Sequence, residues 1–194
     1  MNFEILESLN VLMLIAQKLK KENIVEYLLY MWQTEDIIRA CRLDIEIISE
    51  RIILPFAESM TDDEKKNTRE WYESLIDMMK REGVQEKGHL QLNKNTLLEL
   101  DELHQNLLRS DKDASYPAKF YHILPFVAQL KKQQTDTEIS DIEVCFNFLY
   151  GILLLRLKKA EISAETLQAQ EEISKFMVLL ARNWHADNTN RVQQ

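Results

Sequence analysis

SDIEVCFNFLYGILLLRLKK, residues 140–159, decides the fold. Cys145, Phe146, Phe148, Leu149, Tyr150, Ile152, Leu153, Leu154, Leu155 and Leu157 leave almost no polar side at the helical period. A helix over about 141–159 is therefore apolar around its whole circumference, and such a helix sits at the centre of a bundle or in an apolar seam between copies. Its ends are marked in the sequence. Ser140 and Glu143 form a capping-box pattern, Ile139 and Val144 are spaced for a hydrophobic staple, and Lys158 and Lys159 oppose the dipole at the far end. The segment is too short to span a bilayer and is interrupted by Asn147 and Arg156. Phe146, Leu149, Leu153 and Leu157 are expected to be buried, so truncating one of them should cost about 2–5 kcal/mol. Gly151 weakens the middle of the helix by about 0.5–1 kcal/mol relative to alanine, which predicts a close approach by another helix there.

Working outward, the same signals predict about seven helices. One runs from about Asn23 to Arg42, with a possible upstream extension from Leu9 to Lys21. Asp44 caps a second, carrying Ile45, Ile48, Ile52 and Phe56 at helical spacing and ending at Pro55. Thr61 and Glu64 form a capping box for a third, polar through Arg69 and apolar from Trp71 to Met79. Gly83 and Gly88 punctuate a loop before a helix over about Lys94–Arg109. Ser115 and Pro117 open the next, where Pro125 should force a kink or break near Tyr121. Ser163, with Ile162 and Leu167, starts the last, and the polar tail after His185 should fray.

Composition agrees with an all-α chain. Three glycines and three prolines in 194 residues leave no material for the frequent turns of a sandwich or the glycine loops of nucleotide-binding folds. Lys and Arg number 24 against 32 Asp and Glu, a net charge of −8, so the basic footprint of a nucleic-acid binder is missing and no nucleic-acid partner is expected. Cys41 and Cys145 lack a CxxC partner, which suits buried thiols in a reducing cytoplasm. Glu4 and Glu7 stand where a signal peptide would be positive, so neither export nor membrane insertion is expected.

The residues that could carry chemistry are few. In EYLLYMWQTEDIIRACR, residues 26–42, Glu35 falls on the apolar face with Ile24, Leu28, Met31 and Ile38. Arg39 and Arg42 follow on that side, so a buried Glu35–Arg39 or Glu35–Arg42 pair is expected, read first as structural. Asp36 lies on the exposed flank, and Trp32 reads as packing. His104, one turn after Asp101, lies between Leu100 and Leu107 and reads as a core or boundary histidine rather than a metal ligand, since no second such pair exists. His122, three residues before Pro125, lies near the carbonyl that the proline leaves unpaired and could bond it or line a small pocket. No nucleophile motif, cofactor loop or metal constellation can be assembled, so no catalytic residue, metal or cofactor is assigned.

ENIVEYLLYMWQTEDIIRAC, residues 22–41, together with EISDIEVCFNFLYGILLLRLKK, residues 138–159, resembles an uncharacterised family of bacterial proteins catalogued as domain of unknown function 4924. The resemblance covers the chain from about Met13. Family members typically begin near the motif that reads MLIAQ here, so it implies that residues 1–12 are an upstream-start extension, and it implies no activity.

The organisation expected is one helical domain over 13–186 followed by a frayed tail over 187–194. The leading functional expectation is a non-enzymatic cytoplasmic interaction or regulatory module that self-associates as a dimer and could take a protein partner. The alternative is a small-molecule-binding protein or enzyme with a pocket near Glu35, Arg39, His104 and His122, with Glu35 as base and Arg39 as anion clamp.

Overall fold

The computed structural model describes residues 12–110, 114–133 and 138–192, so most of the proposed upstream segment lies outside the described residues. The chain is all-α, and its backbone contacts gather into two compact units divided between Lys94 and Asn95.

The first unit holds α1 (Leu12–Glu22), α2 (Ile24–Ala40), the short α3 (Ile45–Ile48) and α4 (Asp62–Arg81). Asn23 separates α1 from α2 because its side chain accepts from the amides of Val25 and Glu26, the job of an N-cap. Asp44 caps α3 in the same way through Glu46 N at 2.8 Å. Thr61 and Glu64 close a full capping box on α4. Leu28, Met31, Ile38, Ile48, Tyr72, Leu75 and Met79 form the buried centre.

Two features depart from the expected second helix. Only Ile45–Ile48 is α-helical; Ser49–Ile53 is a π-helix and Leu54–Ser59 a 3₁₀-helix. Pro55 brings no N–H to the ladder, and the amide of Leu54 reaches back five residues to Ser49 O, so the chain winds wide before the proline and tight after it. Arg42 and Leu43, at φ of 57° and 56°, form a left-handed turn that ends the preceding helix.

The second unit contains most of α5 (Gln91–Arg109), which begins in the first, then α6 (Ser115–Lys131), α7 (Asp141–Leu157) and α8 (Ala164–Val192). Here α7 is the apolar helix packed against both α6 and α8. Ser140 caps it through Glu143 N at 3.1 Å. Ile142, Val144, Cys145, Phe146 and Ile152 are buried. The expected burial fails toward its C-terminus: Leu149 and Leu153 are half-buried, and Leu157 is 40% exposed. Pro125 does not break α6, which runs through it. The carbonyl that the proline deprives belongs to Tyr121, a residue 62% exposed, so water can take the missing bond. The last helix remains helical through Val192, the end of the described residues.

Candidate functional site

Glu35 is fully buried on α2, and its carboxylate meets the segment that opens α5. Oε1 accepts from the backbone N–H of Leu90 at 2.9 Å and from Asn93 Nδ2 at 2.7 Å. Oε2 lies 2.6 Å from Nδ1 of His89. An ionised carboxylate only accepts, so this contact calls for a proton on Nδ1, and in a neutral ring the lone pair then lies on Nε2. The positive end of the α5 dipole adds to the three donors, and together they offset the desolvation of a buried charge. The His89 ring is also stacked on Trp32, with centroids 4.1 Å apart and an interplanar angle of 16°.

Arg39, one turn along α2, does not pair with Glu35. Its Nη1 donates to Asp36 at 2.8 Å, Nη2 donates to the carbonyls of Val84 and Gly88, and Nε also reaches Val84 O. Arg42 is exposed in the left-handed turn beyond the helix end, so projecting it along the helical face misplaces it. The expected Glu35–arginine pair is thus replaced by two separate grips on one loop. Gly83 and Gly88, at φ of 71° and 85°, let that loop turn twice within a few residues. Glu82 accepts from Gln91 N at 2.6 Å and closes it at its base.

The two other candidate histidines belong to the second unit, each with its own partners. His104 is fully buried, its Nδ1 lies 2.8 Å from the Tyr116 hydroxyl, and its ring meets Phe120 edge-on at 4.5 Å. Burial holds its pKa below the usual histidine value, against the opposing pull of Asp101 and Asp141. His122 does not line a pocket at the proline: its side chain is 61% exposed and pairs through Nε2 with Glu172 at 3.1 Å. Lys119 and Lys175 also bond Glu172, and their bonds hold its carboxyl at about 2. Trp32, Glu35, Asp36 and Arg39 therefore gather around one loop, while Arg42, His104 and His122 have other surroundings.

Neither thiol resembles a nucleophile. Burial raises the Cys41 pKa and pushes that of Cys145 up to about 12. Among the described residues, no three His, Cys, Asp or Glu side chains gather as metal ligands, and no helix is long and apolar enough to cross a membrane.

Sequence reasoning missed His89 and Asn93. The local signal was a histidine and an asparagine bracketing a helix start in GHLQLN, residues 88–93, but the partner carboxylate lies 54 residues before His89.

A second feature is a groove of about 540 Å³ in the second unit. Phe126 and Leu130 of α6 form one wall, Phe148, Ile152 and Leu155 of α7 another, and Gln129, Gln133, Lys158 and Glu165 stand among its polar groups. Gly151 lines it as well, and a Cβ built there would meet nothing within 4 Å. The expected close helix approach at Gly151 is absent; the glycine leaves open space instead.

Neither the curated proteins nor the solved structures include a match to this chain. A family model described as a domain of unknown function (DUF4924) matches residues 13–191, and the chain belongs to that family.

Proposed function

We propose that this chain is a cytoplasmic interaction module that self-associates through the groove of its second unit. The observation that carries the reading is the open floor at Gly151 beneath apolar walls, on the helix whose Leu155 and Leu157 are 38% and 40% exposed. Leu167, 43% exposed at the start of α8, adds to the apolar surface of that unit.

Charge favours a second copy as the occupant. Two chains of −8 repel each other, so they dock best where local charge cancels. Lys158 and Glu165 cancel in the groove, and Gln129 and Gln133 are neutral. The cytoplasmic setting rests on two buried free cysteines, which a reducing compartment suits. The pocket reading built on Glu35, Arg39, His104 and His122 together is weaker, because each already has partners within its own unit.

Light scattering over a concentration series tests the proposal. The expected mass is twice 23.0 kDa, falling to the single-chain mass in Leu155→Glu with the helical circular dichroism unchanged. A wild-type protein that stays at the single-chain mass up to about 100 µM, well above a micromolar dissociation constant, overturns it.

A further inference from the structure

The groove leaves the Glu35–His89 centre without a function, and its geometry is more constrained than fastening a loop requires. Glu35 alone already holds the start of α5 through Leu90 N and Asn93, and Arg39 holds the loop carbonyls. The imidazole is an addition to that clasp. Its Nδ1 is tied to a fully buried carboxylate, its face lies against Trp32, and its side chain is nevertheless 31% exposed. Nε2 has no hydrogen-bond partner among the described residues, yet it is absent from the buried polar atoms that lack one, so this nitrogen is open to solvent.

We propose that His89 is a proton-accepting site, with Nε2 the accepting atom and Glu35 its positioning residue, acting on the hydroxyl of a small molecule or of water. In the step, the O–H bond breaks and its electron pair stays on oxygen. The Nε2 lone pair forms the new N–H bond, and the imidazolium so made faces the Glu35 carboxylate across Nδ1–H. The buried carboxylate fixes the tautomer that leaves Nε2 free to accept, and it stabilises the charge that develops. Trp32 keeps the ring plane from turning, so the lone pair has one direction. This assignment moves the base away from Glu35, whose oxygens are spent on three donors, to the side chain that those bonds orient.

Two measurements on the full chain test it. Long-range proton–nitrogen correlation on histidine-labelled wild-type protein, at a pH where the ring is neutral, is expected to show the proton of His89 on Nδ1 and none on Nε2. That measurement needs no variant and so no folding control. The second uses ethyl dichloroacetate, an ester whose poor leaving group makes imidazole act on water as a general base, with ethanol and dichloroacetate as the products. Wild-type protein is expected to hydrolyse it above the buffer rate, with a loss of about tenfold or more in His89→Gln. Glu35→Gln is expected to shift the tautomer and lower the rate at pH values where the wild-type ring is already neutral. Tautomer and ester rate report on His89, whereas light scattering reports on the groove, so the failure of either proposal is visible without the other. A proton on Nε2 in the wild-type ring overturns the inference, and so does an ester hydrolysis rate that survives His89→Gln.

Discussion

Glu35 is a carboxylate buried away from water whose three donors all come from residues 89–93. A glutamine there keeps the shape and one oxygen to accept from Leu90 and Asn93, while its NH₂ faces Nδ1 of His89, which must give up its proton to accept. Glu35→Gln is therefore expected to lower unfolding free energy by about 1–3 kcal/mol in urea, the cost of losing hydrogen bonds to a charged acceptor. An unchanged midpoint would show that the three bonds are not made in solution.

His104 gives a prediction of opposite chemistry. Its folded pKa lies below that of an exposed histidine because burial disfavours the charged ring. As pH falls below the unfolded value of about 6.5, the unfolded chain takes up a proton that the folded one refuses. The stability contributed by neutral His104 is present above that value, declines below it and is lost once pH has fallen through the lower folded pKa. Urea unfolding across this range should show a decline that is shallower in His104→Asn; identical slopes would count against it. That Glu35 and His104 would be buried was legible from their places on apolar stripes. Their partners were not, because a helical stripe says which way a side chain points and nothing about what arrives from 54 residues away in the case of His89.

At the scale of elements, the starts of helices were legible because the cap and the amides it satisfies are neighbours in sequence, as at Asn23, Asp44, Thr61 and Ser140. Interruptions were harder. Pro55 and Pro125 carry the same chemical defect, yet one sits beside a π-to-3₁₀ switch and the other lies in an unbroken α-helix. The exposure of Tyr121, whose carbonyl Pro125 deprives, is a tertiary fact that no local window holds.

Gly151 shows the same limit. A mid-helix glycine signals either a close approach or open space, and the structure has open space. Alanine at 151 should therefore cost nothing in packing and reduce the backbone freedom of the unfolded chain. Gly151→Ala is expected to stabilise the fold by about 0.5–1 kcal/mol, measured by urea unfolding in a Leu155→Glu background that keeps the chain single. A loss of stability there would mean that a group of this same chain packs on the groove floor after all.

Across the whole molecule, the division between Lys94 and Asn95 falls inside a continuous helix, α5, and not in a linker. The first turn of α5 is held by Glu35 through Leu90 and Asn93 in the first unit. Further along, the same helix carries Leu100 and His104, both buried, the latter beside Tyr116, Phe120 and Phe176 of the second unit. If one unit unfolded alone, α5 would lose its anchor at one end. Because helix formation is cooperative, the loss would spread along the remaining turns toward the other unit. The chain is therefore expected to behave as the single cooperative domain that its length suggests, with one transition reported alike by both halves. Hydrogen exchange with mass spectrometry in increasing denaturant checks this directly. Peptides from Ile24–Ala40 and from Asp141–Leu157 should lose their slow-exchanging protection at the same denaturant concentration, and peptides from α5 should follow both. If the α7 peptides open well before those of α2, the two units are separate folding domains, and α5 should then exchange as two segments whose protection changes near Asn95.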